Sequence, residues 1–184
     1  MRADARRNRE RVLEVACDVF AAEGLSVPVA EIARRAGVGT GTVSRHFPTK
    51  EDLLRAIILD RIERIVDQAR ALESLGDPGT AFYRFLAVMV EETAANRGLT
   101  EAFAGAGFDM EAASSGASDD VMGVLRDLLA AAQRAGAVRP DVEVADVKAL
   151  IMGCLARERG DGDTAARLRM ITVVSAGLRP DPAR

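Results

Sequence analysis

Apolar residues recur along this chain at three- and four-residue steps almost throughout, the period of helices that bury one face. Val12, Val15, Ala16, Val19 and Phe20 share a face of a first helix, with Asn8 as its cap and Gly24 as its stop. The basic stretch from Met1 to Arg7 precedes that cap and is expected to fray. Val29, Ile32, Ala33 and Ala36 mark a second, short helix, with Pro28 in its first turn, where a missing amide costs little, and Gly37 at its end. A third runs from Thr40 to His46; Pro48 forbids its continuation, because the residue before a proline avoids helical backbone. Thr49 and Asp52 then form a capping-box pattern, aspartate standing in for glutamate. They open a long fourth helix striped by Leu53, Leu54, Ile57, Ile58, Ile62, Ile65 and Val66.

Gly76-Asp77-Pro78-Gly79 is a firm break. Beyond it the pattern gives helices over about 80–96, 99–104, 119–135, 144–159 and 164–178. The small, polar, Gly- and Ser-rich stretch 105–118 reads as a loop or mobile turn, and the tail Arg179 to Arg184 as disordered. Runs of β-branched and aromatic residues are too few for strands, so the fold class is all-α. The domain boundary is expected inside the fourth helix, dividing the chain into 1–52 and 53–184.

Composition changes this picture in two places. Hydrophobic residues make up 48 % and charged residues 29 % of 184, enough to fill a core and keep a polar surface. The formal net charge of −3 argues against a nucleic-acid partner, but its distribution argues for one. Residues 1–50 hold nine Lys and Arg against six Asp and Glu, whereas residues 51–184 hold 16 against 22. The N-terminus has no apolar core of a signal peptide and no run approaches a membrane span, so a cytoplasmic protein is expected. Cys17 and Cys154 sit in apolar helical patterns and read as free thiols.

The second and third helices, joined by a glycine turn, have the spacing of a helix-turn-helix. Ala33 is the small interior residue where the helices cross, Gly37 the elbow tolerant of positive φ, and Val43 the anchor that plugs the third helix into the core. That leaves Thr40, Thr42, Ser44 and Arg45 facing outward, with Gly39 and Gly41 keeping the helix slim at its start. Short polar side chains on a slim helix suit base edges and phosphates in a major groove. A helical hairpin that only packs is the plainer alternative. Arg2, Arg6, Arg7 and Arg9 read equally as an arm on DNA and as a solvated tail, and Arg34-Arg35 equally as contacts and as an exposed face.

The run from Ala33 through Gly37-Val38-Gly39-Thr40-Gly41-Thr42-Val43 to His46-Phe47-Pro48-Thr49-Lys50-Glu51 and Leu53 closely resembles the DNA-binding segment of the tetracycline-repressor-like (TetR) family of bacterial transcription regulators. The first helix fits too, and the specific match covers about residues 9–60. The resemblance implies an N-terminal three-helix DNA-binding domain and a C-terminal helical domain for ligand binding and dimerisation. It implies that Thr42 faces a base or phosphate and that His46 and Lys50 reach the backbone; with the outward positions of the third helix, the candidate DNA contacts are Thr40, Gly41, Thr42, Ser44, Arg45, His46 and Lys50. Two residues depart from the family's pattern. Ser44 replaces a frequent tyrosine, and Pro28 replaces a Ser or Thr that often caps the second helix and binds phosphate.

The body offers two further candidate sites. Phe82, Phe85, Met89, Phe103, Phe108 and Met122 gather large soft side chains that suit a pocket for an apolar or amphipathic effector, though each also suits ordinary core. Leu150, Ile151, Cys154, Leu168, Ile171, Val174 and Leu178 suit a homodimer interface, where two copies pair their last two helices as a four-helix bundle. No nucleophile–base pair, metal cluster or phosphate-cradling loop stands out, so neither catalysis, a metal nor another cofactor is expected. The partners expected are a double-stranded operator, a small-molecule effector and a second copy. The function read is a ligand-responsive repressor on a palindromic operator. A helical small-molecule-binding or protein-interaction dimer whose helix-turn-helix no longer reads DNA is the alternative.

Overall fold

The structure, a computed structural model, describes residues 2–114, 116–156 and 164–181. Those residues form helices and no strand: α1 (Arg2–Glu23), α2 (Val29–Arg35), α3 (Thr40–His46), α4 (Lys50–Glu73), α5 (Pro78–Ala95), α6 (Arg97–Gly105), α7 (Met110–Ser114), α8 (Ala117–Arg134), α9 (Val144–Ala156) and α10 (Thr164–Leu178). Tails 1 and 182–184, and the expected extension of α9 over 157–159, lie outside the described residues.

Two compact units emerge: Met1–Glu63 with Asn96–Ser118, and Arg64–Ala95 with Asp119–Arg184. Packing divides the chain within α4 at 63/64, against the 52/53 read from the sequence, and it groups Asn96–Ser118 with the first unit. The reason lies in the first core. Val12, Leu13, Ala16, Phe20, Ile32, Ala33, Val43 and Leu53 share it with Ile57 and Ile58 from the middle of α4, and with Leu99, Phe103 and Ala113 from α6 and α7. Gly98 lets α6 lie directly on α1: a Cβ there would stand 3.0 Å from the carbonyl oxygen of Ala21. The second unit has its own core, in which Phe82, Phe85 and Leu86 of α5 pack with Leu125 and Leu128 of α8 and Val147 and Ile151 of α9.

Three local expectations are corrected. The helix α1 begins at Arg2, so Asn8 lies within it and is no cap. Arg6 pairs with Glu10 at 2.8 Å and Arg7 with Asp4, contacts at the i,i+4 and i,i+3 spacings that support a helix. Pro28 is the cap of α2 and not a residue of its first turn. Most consequential, 105–118 is no simple loop, because it contains α7 and the first two residues of α8. The Asp109 carboxylate accepts the amide of Ala112 at 2.9 Å, an N-cap that starts α7, and buried Ala113 ties α7 to the first core.

Candidate nucleic-acid interface

The turn between α2 and α3 follows from chain chemistry. Ala33 is fully buried where the helices meet. Past Arg35 the chain closes in a Schellman arrangement: Val38 N–H donates to Ala33 O at 3.0 Å and Gly37 N–H to Arg34 O at 3.2 Å. That geometry needs a left-handed residue, and Gly37 supplies it at φ +68°. The helix α3 begins at Gly39, whose carbonyl accepts the amides of Thr42 and Val43 at 2.9 and 3.2 Å. Val43, 1 % exposed, pins α3 to the core, and buried Phe47 follows its end.

With Val43 inward, Thr40, Gly41, Ser44, Arg45 and His46 are exposed and Thr42 is half-buried. The candidate reading residues therefore stand together on one short helix, with no large apolar side chain among them. The helix α4 starts as its sequence pattern dictates. Thr49 N–H donates to the Asp52 carboxylate at 3.0 Å and Asp52 N–H to Thr49 Oγ1 at 3.0 Å, a reciprocal box. Hydrogen bonds from the Thr49 hydroxyl and amide hold the Asp52 carboxyl below its ordinary pKa.

Lys50 is the exception among the expected DNA contacts. Its ammonium turns inward, donating to the carbonyls of Leu25 and, at 3.2 Å, Val27, above the ring of Phe20 at 5.4 Å. Those carbonyls, in the connection between α1 and α2, satisfy the charge inside the protein.

The other basic residues are also committed. Arg34 donates twice to Glu31, at 2.7 and 2.6 Å, and Arg35 bridges Glu31 at 2.8 Å and Glu23. Hydrogen bonds from Arg34 and then Arg35 hold the Glu31 carboxyl at about 2. Arg34 and Arg35 thus stand on an ion-paired face. Pro28 offers no hydroxyl at the start of α2 and makes no side-chain cap there. From the basic N-terminal stretch, Arg9 lies over the Phe47 ring at 5.8 Å. Among the described residues Arg45 and His46 enter no ion pair.

The other two candidate sites come out differently. The six pocket residues divide between the two units. Phe103 and Phe108 belong to the first unit, their rings 5.1 Å apart, while Phe82, Phe85, Met89 and Met122 belong to the second unit's core. Their apolar bulk is used as core filling, which sequence alone leaves open. Two surface clefts of the second unit are lined by none of them. One, of about 580 Å³, has Tyr83, Arg84 and Arg179 in its wall; the other, of about 400 Å³, has Leu150, Val173 and Leu178. Of the seven interface residues, Ile151, Cys154, Val174 and Leu178 are buried inside the protomer, and Leu150 and Ile171 are half-buried. Only Leu168 is exposed, at 55 %, and it is joined by two residues the periodicity did not single out, Met152 and Val173, at 56 % and 64 %.

Comparison with known proteins bears on the whole chain. Residues 12–57 match the family model described as bacterial regulatory proteins, tetR family. Residues 77–180 match that of the C-terminal domain of SbtR-like transcriptional regulators. The chain belongs to the TetR family. A TetR transcription regulatory protein from Mycobacterium vanbaalenii is 52 % identical, with TM-score 0.80 over 97 % of this chain and 99 % of that one. The TetR transcriptional regulator SCO0520 from Streptomyces coelicolor is 31 % identical, with TM-score 0.77 over 94 % and 98 %. HTH-type transcriptional regulators of Staphylococcus aureus are 42 % identical over 59 residues, and the match spans only 32 % of this TetR-family chain and 32 % of theirs. The sequence-level likeness to those curated relatives is confined to a segment of DNA-reader length. The chain is thus a transcriptional regulator of the helix-turn-helix type, and the alternative of a helical dimer without a reading function is not favoured. Among the described residues no helix is long and apolar enough to cross a membrane.

Proposed function

We propose that this TetR-family regulator is a repressor that binds a palindromic operator as a homodimer and releases it on binding a small-molecule effector. The observation that carries the reading is the outer face of α3. Thr40, Thr42, Ser44 and Arg45 stand on a helix pinned by Val43, slim enough at Gly41 to enter a major groove. Thr42 is assigned to a base edge, Thr40 and Ser44 to bases or phosphates, and Arg45 and His46 to phosphates. Two such helices must be presented about one helical turn of DNA apart, roughly 34 Å, which requires a symmetric pair of chains. The outer faces of α9 and α10, where Met152, Leu168 and Val173 are exposed, are proposed as the surface that joins them. The effector is proposed to act on the second unit and must favour one state of the dimer over another to switch it. The reading gives the chain no catalytic role.

Selection of duplexes from a random-sequence pool by the full-length protein tests it. Enrichment of an inverted repeat is expected. Thr42→Ala should then relax preference at one base position of each half-site by about 1–3 kcal/mol, with other positions unchanged. Absence of any enriched sequence, or equal weakening on all sequences, would remove the base-reading role of Thr42 and with it the site.

A further inference from the structure

Arg6, Arg34, Arg35, Arg97 and Arg139 each pair with a carboxylate. Arg84 and Arg179 enter no ion pair among the described residues, yet both line the cleft of about 580 Å³ in the second unit. A lone guanidinium on a convex surface is simply hydrated. Two in one concavity focus a positive potential there and favour an anion.

Three elements build this concavity. Thr80 and Arg84 stand one turn apart on one face of α5. Gly79 lets that helix lie against the turn after α8: a Cβ there would stand 2.7 Å from the Cβ of Ala137. The Tyr83 hydroxyl donates to the Ala137 carbonyl at 2.9 Å, which ties α5 to the same turn. Arg139 N–H donates to Leu178 O at 3.0 Å, which ties the turn to the end of α10, where Arg179 follows. The Arg179 guanidinium lies over the Tyr83 ring, 5.4 Å from its centre. The walls are thus held in place without a ligand, so binding need not order them.

The lining has one carboxylate, and it is engaged. Asp77 accepts the Thr80 amide at 2.9 Å, and hydrogen bonds from the Thr80 hydroxyl and amide hold its carboxyl below its ordinary pKa. Two guanidiniums against one carboxylate leave the cleft with net positive charge. A guanidinium over an aromatic face keeps its N–H edge for an oxyanion, and phosphate and carboxylate oxygens match that fork. The volume falls in the range of small-molecule sites, about 300–1,000 Å³.

We propose that this cleft binds a small metabolite through a phosphate or carboxylate group, with Arg84 and Arg179 holding that oxyanion. The site shares no residue with the outer face of α3, and it does not rest on the operator-binding reading.

Tyr83 is the chain's one tyrosine and there is no tryptophan, so intrinsic emission reports from the cleft itself. The probes are pyrophosphate and citrate, titrated without DNA into the full-length protein at constant ionic strength, with sodium chloride as the blank. A saturable change in tyrosine emission is expected from at least one probe, with equimolar binding by calorimetry. A response to pyrophosphate alone assigns a phosphate group, one to citrate alone a carboxylate, and one to both their shared chemistry. By calorimetry, Arg84→Gln and Arg179→Gln should each weaken that binding at least about tenfold, the equivalent of one charge-assisted hydrogen bond. Arg126→Gln, at an exposed position of α8 outside the cleft, should stay within about twofold of wild type. Arg84 and Arg179 are exposed, so their variants should keep the wild-type helical circular dichroism. No saturable binding of either probe, binding that survives both cleft substitutions, or an equal loss in Arg126→Gln overturns the site.

Discussion

Phe103 lies outside the segment matched by the tetR-family model, yet its ring is 1 % exposed in the core that holds the helix-turn-helix. Phe103→Ala therefore tests whether the DNA reader is a local unit of three helices or one that depends on α6. The ring packs 5.1 Å from that of Phe108, beside Leu99. Removing a buried phenyl from such a core costs about 3–5 kcal/mol, because the cavity closes only in part. Against a typical total of about 5–15 kcal/mol the variant stays folded at moderate temperature, but its openings become far more frequent. Native-state hydrogen exchange reads this by region. If α1, α2 and α6 open together, the slowest amides of α1 and α2 should exchange on the order of 10²- to 10³-fold faster. Amides of α5 and α8, whose core Phe103 does not enter, serve as the reference and should change less. Phe103→Leu should repeat the pattern at about tenfold or below, as a milder swap. Wild-type protection in α1 and α2, with loss confined to residues 97–105, would refute the claim that α6 belongs to the reader.

Two further outcomes follow from named contacts. The Glu31 carboxyl sits near 2 in the folded chain against an ordinary 4.5, so its contribution is complete above 4.5 and is lost as pH falls toward 2. In thermal melts from pH 7 downward, the gap between wild type and Glu31→Gln should hold to about pH 4.5 and close below it; a gap that widens with acid would contradict the assignment. On α10, Val173 is 64 % exposed and its neighbour Val174 only 9 %. Val173→Glu should leave helicity intact and yield a monomer by analytical ultracentrifugation, with the dimer dissociation constant raised at least ~10²-fold by an unpaired charge at the interface. Val174→Glu should instead unfold the second unit, and a Val173→Glu protein that remains dimeric would move the interface elsewhere.

The helices were legible because their punctuation has a physical cause in single residues. Gly37 and the Thr49–Asp52 box place the end of α2 and the start of α4 where the sequence puts them. The limits of α3 and α10 also agree with the apolar period, at Thr40–His46 and Thr164–Leu178. What misled was composition used in place of contact. Gly and Ser in 105–118 suggested a loop, but Asp109 caps a short helix there and Ala113 finds a core to enter. The charged start of the chain suggested fraying, but its charges pair along one helix. Long-range packing, by contrast, leaves almost no local mark. Nothing in the sequence around Leu99 and Phe103 says that they return to the first core and not to the second. Register on α9 and α10 fails for a related reason. Both helices carry apolar residues around much of their circumference, so a three-four period marks several faces, and it chose the inward Ile151 and Val174 over the outward Met152 and Val173.

For the site, the helix-turn-helix was legible in the sequence, but the partners of its charges were not. The excess of positive charge in residues 1–50 suggested a basic surface for phosphates. The structure commits most of that charge elsewhere. Arg6 and Arg7 pair with Glu10 and Asp4, Arg34 and Arg35 with Glu31 and Glu23, Arg9 covers Phe47, and Lys50 serves two carbonyls. Each of these is a local or interior partner that a charge count cannot see. Arg45 is the arginine of α3, exposed and in no ion pair among the described residues. A reader with so few uncommitted cations gains little from counterion release. On the operator-binding reading proposed above, affinity then comes from the fit of α3 to its groove and from the pairing of two such helices, and the first depends on how firmly Val43 and Gly37 hold α3 in place.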